Sequence, residues 1–359
     1  MRTTQLEINV NKFKKNINNI RKYVNNKELM PIIKANGYGT HINKNIDVVN
    51  EFNIVAVAIV DEAIDLRNLG YKKEIFVLNQ PYETEIDDII KYDVTIGISS
   101  NEFLNKLLKV KNKVKVHLEI ETGMNRTGIN INDLEEYINK IKKNPNIIIE
   151  GIYSHLSSAD YDKDYTVKQF DTFKKALDIV KSKVDTLKYI HIEASNGLIN
   201  YNSDITNLVR PGLIMYGYPS FDKLYDKIDV EPIAKLKTKI TFIKEIDANE
   251  SVSYSRRFIS DKKMKVATIP IGYADGLRRE LTNIGEVVIN GQKARIIGSV
   301  CMDSCMIDVT NIKDVNVGTD VYIWDNDLVT LDDIANKCNT ISYEIISGIS
   351  DRVPRVFIK

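Results

Sequence analysis

Over its first 215 or so residues this 359-residue chain alternates short β-branched runs with longer polar segments of helical character, and that rhythm restricts the possible folds more than any other feature. Strand candidates fall at residues 30–34, 54–60, 74–78, 94–98, 114–120, 147–154, 189–193 and 208–209. Helix candidates fill the gaps at 61–69, 83–91, 101–109, 132–143 and 166–181, and several open on an Asp or Asn able to cap a helix. Eight strands with helical crossovers in about 200 residues fit a parallel (β/α)8 barrel, with an open doubly wound sheet as the alternative. After about residue 220 the rhythm changes. Residues 235–246, 265–271, 286–289, 294–297, 306–309 and 321–324 read as strands with short turns, Asn290-Gly291 among them. Short helices are expected after Thr330 and near Tyr343. The predicted organisation is α/β, with an N-terminal (β/α)8 barrel over residues 1–230 and a C-terminal, mostly β domain over 231–359.

Composition narrows the partners. Lys plus Arg number 50 against 49 Asp plus Glu, and a net charge of +1 leaves no electrostatic footprint for nucleic acid or an anionic membrane. The longest apolar run, residues 54–60, is far short of the roughly 20 residues a membrane span needs. The opening Met1-Arg2-Thr3-Thr4-Gln5 offers no signal-peptide stretch, and three cysteines make no disulfide framework. A cytoplasmic protein acting on a small molecule is expected.

The chemistry-bearing residues gather at the ends of the predicted strands. In the fifth, Val114, Val116, Leu118 and Ile120 share one face, so His117, Glu119 and Glu121 share the other and are expected to point into the barrel. A polar interior near a strand's end is where barrel active sites lie. Lys34 ends the first strand, His155 the sixth; Ser195 follows the seventh and Arg210 the eighth. A lysine after apolar residues in a buried strand is costly unless paired or neutral, and an imine makes it useful. The four histidines lack metal-site spacing, so no metal is assigned. Neither common Gly-rich phosphate loop occurs, nor a G-x-S-x-G elbow. A lysine after strand one and an arginine after strand eight match pyridoxal phosphate (PLP), which takes a lysine for its imine and an Asp or Arg at its ring nitrogen.

Along nearly its whole length the chain resembles the alanine racemase family. The segments that carry the likeness are Ile33-Lys34-Ala35-Asn36-Gly37-Tyr38-Gly39, Glu121-Thr122-Gly123-Met124-Asn125-Arg126, Ser154-His155-Leu156, the run from His191 to Ser195, and Val209-Arg210-Pro211-Gly212. Further on they are Ile271-Gly272-Tyr273-Ala274-Asp275-Gly276, Cys301-Met302-Asp303 and Ser342-Tyr343-Glu344. The resemblance implies a barrel plus β domain, PLP as cofactor, and interconversion of L- and D-alanine in a homodimer, supplying D-alanine for peptidoglycan. It implies that Lys34 holds PLP and is the base for the D-antipode. Tyr273, reaching into the neighbouring subunit's site, is implied as base for the L-antipode. Arg126 would bond the phenolic oxygen of PLP and, with the N–H of Met302, hold the substrate carboxylate. His155 would pack on the ring and Arg210 face its nitrogen, while Tyr38, Ser195, Gly212, Leu213 and Tyr343 grip the phosphate.

Elementary chemistry suits that assignment. A guanidinium stays protonated and discourages the ring nitrogen from taking a proton, which disfavours a long-lived carbanion. Racemisation needs a base on each face of the α-carbon. This chain departs from the family twice. Glu119 stands where relatives usually carry a lysine, often carbamylated, and is expected to supply the negative charge beside Arg126 directly; a neutral inward acid is the alternative. Ser299 stands where many relatives have an arginine, which alters the expected contacts near the substrate entrance.

Three other functions compete. A PLP barrel decarboxylase would want a Gly-rich phosphate loop, and no two glycines are adjacent. A PLP-binding carrier built from the barrel alone has no use for Tyr273. A racemase of serine or larger amino acids is opposed by Tyr343, whose ring crowds the substrate side chain.

Overall fold

The computed structural model describes residues 2–218 and 227–359. Its strands, in chain order, are β1 (Gln5–Asn9), β2 (Glu28–Leu29), β3 (Ile54–Val57), β4 (Glu74–Val77), β5 (Thr95–Ile98), β6 (Val114–Glu119), β7 (Ile147–Tyr153), β8 (Tyr189–His191) and β9 (Leu208–Val209). There follow β10 (Ala234–Lys239), β11 (Phe242–Ile246), β12 (Ser251–Val252), β13 (Phe258–Ile259), β14 (Met264–Ile269), β15 (Glu286–Ile289), β16 (Gln292–Ile297), β17 (Cys305–Asp308), β18 (Asp320–Trp324) and β19 (Arg355–Ile358).

Strands β3 to β8 pair in parallel in sequence order, and β2 pairs with β9. Single bridges, Ile32 to Ala56 and Ala194 to Arg210, join the pair to both edges of the six, so the sheet closes on itself as the expected (β/α)8 barrel. Every residue of β3 and β5 is buried, as befits parallel strands covered on both faces. The covering helices bury one stripe each. In Leu134–Ile141 the buried residues are Leu134, Tyr137, Ile138 and Ile141, the spacing of one helical face. Ser100 and Asp162 cap their helices by accepting the N–H of Phe103 and Tyr165 at 3.2 and 2.9 Å.

The chain divides into two compact units: Lys14–Gly37 with His41–Glu231, and Met1–Phe13 with Tyr38–Thr40 and Pro232–Lys359. The first 13 residues thus group with the C-terminal segment and not with the barrel. The N-terminal strand β1 instead pairs antiparallel with β10 and parallel with β19. Leu6 and Ile8 give the reason: they alternate with Gln5 and Glu7 and are wholly buried on the inner face of that sheet. The sheet has nine strands in the order β11-β14-β17-β16-β15-β18-β10-β1-β19. Asn290 and Gly291 make its tightest turn with φ of 48° and 70°, the primed geometry that matches strand twist. Helices follow Thr330 (Leu331–Lys337) and include Tyr343 (Ser342–Ser347), as expected. Among the described residues no helix is long and apolar enough to cross a membrane.

Candidate active site

Lys34 lies beyond β2, after the bridge at Ile32 and not within a strand, because the backbone turns left-handed directly after it. Ala35, Asn36, Gly37 and Tyr38 have φ of 50°, 53°, 62° and 54°. Asn and Gly visit this region readily, whereas Ala35 and Tyr38 cost roughly 1–2 kcal/mol each. Hydrogen bonds from Gly37 N–H to the Ile33 carbonyl (3.0 Å) and from His41 N–H to the Asn36 carbonyl (2.7 Å) hold the turn. The Lys34 ammonium loses its proton more easily than a free lysine, first through burial and then through the positive Arg126; Glu62 acts in the opposite sense. A larger neutral fraction makes the amine a better nucleophile toward a carbonyl.

Arg210, directly after β9, is a cation buried in the barrel, with 2% of its surface exposed. Its Nη1 donates to His191 Nδ1 at 2.7 Å. Its Nη2 faces the Ser154 carbonyl at 2.6 Å, the Ile192 carbonyl at 3.1 Å and His155 Nδ1 at 3.2 Å. Among the described residues its Nε donates to no acceptor. Burial, the largest cause, lowers its pKa to about 10, so it remains a cation at neutral pH. Burial and the charge of Arg210 push His155 down to about 3 and hold His191 well below the ordinary imidazole range. A guanidinium can only donate, so His191 Nδ1 accepts, and the proton of the neutral ring sits on Nε2. That proton is shared with His117 Nδ1 at 2.8 Å, which leaves the remaining proton of His117 on its Nε2, buried without a partner. Alternate strands build this layer: β4 gives Phe76, stacked on His117 at 4.5 Å, β6 gives His117 and β8 gives His191.

Glu119 ends β6 and is 5% exposed, accepting the Thr127 hydroxyl at 2.7 Å. The phenol of Tyr153 stands beside it, in room that Gly97 leaves by having no side chain. The expected ion pair with Arg126 is absent among the described residues: Thr127 occupies one carboxylate oxygen and Arg126 lies exposed. Burial pushes the Glu119 carboxyl up, against the hydrogen bonds and the two arginines that pull it down. Glu121 departs from its expected inward direction. Strand alternation stops at Glu119, and the Glu121 carboxylate turns to accept the N–H groups of Gly123 and Asn125, shaping the loop that carries Arg126. A narrow cleft is nonetheless lined by Glu119, Thr122, Met124, Arg126 and His155 together. At the same rim Ser195 Oγ accepts the Gly212 N–H at 3.0 Å, and a 3-10 turn starts at Leu213.

The remaining predicted residues belong to the other unit, Tyr38 among them. Arg355 Nε donates to the Gly39 carbonyl at 2.8 Å, and the Tyr38 ring meets Tyr343 edge-on at 6.0 Å. Tyr273 and Met302 sit on two loops stitched together: Tyr273 N–H bonds the Cys301 carbonyl and Ala274 N–H the Met302 carbonyl, both at 3.0 Å. Their side chains are 44% and 52% exposed, unusual for a tyrosine and a methionine so firmly held at the backbone. Asp275 anchors the turn, wholly buried, gripped by both terminal nitrogens of Arg2 at 2.7 and 2.8 Å. Ser299 is buried and donates to the Tyr254 carbonyl, so it braces a loop in place of the entrance contact expected of that position.

Sequence reasoning passed over Glu62, Tyr153 and the Arg2–Asp275 pair. Glu62 reads as an ordinary acid in a helix's first turn, and Arg2 and Asp275 are 273 residues apart. For Tyr153 a signal existed, since it shares an inward strand with Gly151.

A closed parallel barrel with a buried arginine and a depressed lysine just beyond neighbouring strands, in a chain that also builds a nine-stranded sheet, points to a class of isomerase. The chain belongs to the alanine racemase family: residues 8–220 match the model of the alanine racemase N-terminal domain and residues 233–357 that of the C-terminal domain. It is 38% identical over 372 residues to alanine racemase 2 of Caldanaerobacter subterraneus subsp. tengcongensis, covering 100% of this chain and 95% of that one. It is 38% identical over 366 residues to the alanine racemase of Clostridium kluyveri, covering 98% and 93%. Among solved structures, an alanine racemase of Clostridium difficile 630 superposes with a TM-score of 0.93 at 31% identity, covering 100% and 96%. The alanine racemase of Bacillus anthracis with bound L-Ala-P gives 0.93 at 29%, covering 100% and 96%.

Proposed function

We propose that this enzyme interconverts L- and D-alanine with pyridoxal phosphate held in the barrel. The observation that carries the reading is the pairing of a depressed lysine, Lys34, which follows β2, with a buried arginine, Arg210, which follows the neighbouring β9 and whose Nε donates to no acceptor among the described residues. The donor set fits the cofactor: an amine for its aldehyde, a free guanidinium N–H for its ring nitrogen, and Ser195, Gly212 and Leu213 at one rim for its phosphate. Tyr38 and Tyr343 are given to the phosphate on family resemblance. When bound, PLP supplies an electron-withdrawing ring that acidifies the α C–H of an attached amino acid.

The chain's residues do the rest. Lys34 Nζ takes or returns the α-proton on one face. Tyr273 of the partner subunit does so on the other, which is why its exposure in one chain is consistent with a homodimer. Arg210 cannot accept a proton and would donate to the ring nitrogen, disfavouring its protonation. Neutral His155 would pack on the ring without adding charge. Arg126 and the Met302 N–H hold the substrate carboxylate. D-alanine formed in the cytoplasm would serve peptidoglycan assembly. Incubating purified enzyme and PLP with single L-amino acids, followed by chiral chromatography, tests the reading. Conversion of L-alanine to a racemic mixture is expected; racemised serine with untouched alanine would overturn the substrate, and no conversion of either would overturn the activity.

A further inference from the structure

The left-handed turn after Lys34 is held by a residue from another strand-helix unit. Glu62, in the first turn of helix Val60–Asn68, accepts the Ala35 N–H on one carboxylate oxygen at 2.6 Å and the Ala58 N–H on the other at 2.7 Å. Both are short, charge-assisted bonds. An acid at this place in a helix commonly reaches back to one N–H of its own lead-in segment, and Ala58 fills that role. The second oxygen is spent 27 residues away, on the N–H next to the lysine. An N–H in a left-handed run cannot enter a normal helix or strand ladder, so a side-chain acceptor is what satisfies it. Ala58 follows β3 directly, and β3 is bridged to the Lys34 segment at Ile32 and Ala56. Two oxygens therefore rivet the ends of two adjoining barrel strands.

We propose that Glu62 is a positioning residue for Lys34, its carboxylate clamping Ala35 and Ala58 so that the strained turn presents the lysine in one place. This rests on the reading of Lys34 as the PLP lysine. The carboxylate also favours the protonated form of the Lys34 nitrogen, against burial and Arg126. His155 is the other titratable group coupled to Lys34, and it is neutral.

The experiment uses the PLP-loaded full-length protein and its Glu62→Gln and Glu62→Asp variants. Borohydride reduction and peptide mapping of the parent come first: PLP on a lysine other than Lys34 refutes the underlying reading and not the clamp. With PLP on Lys34, hydrogen–deuterium exchange of the peptide spanning residues 34–37 and the pH midpoint of the visible cofactor band are then compared. An amide accepts only one of the two N–H bonds and turns its NH2 against the other, so Glu62→Gln should speed exchange at Ala35 by about tenfold or more. Loss of the negative charge should also move the midpoint to lower pH. Glu62→Asp keeps the charge but is one methylene short of spanning both amides, so exchange should rise while the midpoint stays near the parent's. A structural brace alone would not separate charge from reach in this way. Unchanged exchange in both variants, or a midpoint unmoved in Glu62→Gln, overturns the proposal. Should Glu62→Gln fail to fold, Glu62→Asp exchange alone decides it.

Discussion

Replacing Gly151 with alanine tests whether the buried histidine relay is held by packing. Gly151 on β7 is in register with His117 on β6. A Cβ there would lie 2.5 Å from Cγ and Cδ2 of the His117 ring and 2.7 Å from its Nδ1. Carbon contacts are comfortable near 3.5–4.0 Å, so the ring would have to retreat by about 1 Å. It has nowhere to go: Phe76 is stacked on it at 4.5 Å, and Nδ1 is tied to His191 at 2.8 Å. A retreat of that size pulls the imidazole pair past hydrogen-bond range. Overpacking costs about 1–3 kcal/mol and an unsatisfied buried polar group about as much again, against less than ~1 kcal/mol gained by stiffening the unfolded chain. The net is roughly 3 kcal/mol, or about 6–12 °C in melting temperature for a unit of this size. Thermal melts of parent, Gly151→Ala, His117→Ala and the double variant form the assay. The double variant should be more stable than the sum of the single losses requires, because the added methyl occupies space the ring has vacated. A Gly151→Ala protein melting within about 2 °C of the parent would refute the packing argument.

Lys34→Ala should abolish both covalent PLP attachment and racemisation, read by reduced peptide mapping and chiral chromatography; attachment to a different lysine would reject the assignment. Glu119→Gln should lower activity without rescue by bicarbonate, whereas Glu119→Lys should be stimulated by it; parental activity in Glu119→Gln would show that the Glu119 charge has no role. Mixing inactive Lys34→Ala and Tyr273→Phe homodimers after dissociation should restore activity, since one site of each hybrid would hold both bases; no recovery despite hybrids seen by native mass spectrometry rejects the shared site. Stability should fall on acidification: the depressed histidines give a contribution present above their ordinary 6.5 and lost as pH drops toward about 3, while Glu119, raised, works the opposite way and is outnumbered. Equal urea midpoints at about pH 7.5 and about pH 5 would refute this.

The barrel was readable because parallel strands buried on both faces are near-continuous apolar runs that punctuate helical segments. Strand ends were less so, since burial periodicity carries no mark where hydrogen-bond pairing stops. Thus residues 58–60 look like β3 but lead into a helix. Strand β1 escaped notice because five residues of alternation next to the helix Val10–Val24 have little weight until β10 and β19 are known to flank them. The positions of Lys34 and Arg210 followed from strand order; the left-handed backbone between Lys34 and Gly39 did not, although Asn36 and Gly37 are the residue types that tolerate it. What sequence could not supply were pairings across long separations, such as Glu62 with Ala35 or Thr127 in place of Arg126 on Glu119.

The charge arrangement of the barrel explains why these long-range pairings matter. Arg210 is buried with imidazoles and carbonyls for partners, and no carboxylate forms an ion pair with it among the described residues. An unpaired buried charge is expensive, and neutral acceptors offset only part of that cost. Lys34 and Arg126 add positive charge within electrostatic reach of the same histidine, His155. Glu119, the carboxyl in the cleft, is pushed toward its neutral form, and Glu62 spends both oxygens on backbone N–H groups. Arg210 is therefore held by neutral acceptors alone, with Glu119 and Glu193 attracting it only from a distance. An anion placed beside Arg210, such as a phosphate ester or an amino-acid carboxylate, would add attraction that neutral acceptors do not, so its binding should stabilise the fold as well as place the ligand. A carboxylate in place of His191, the imidazole that accepts from Arg210 at 2.7 Å, would pair the arginine internally and should weaken its stabilisation by an anionic ligand.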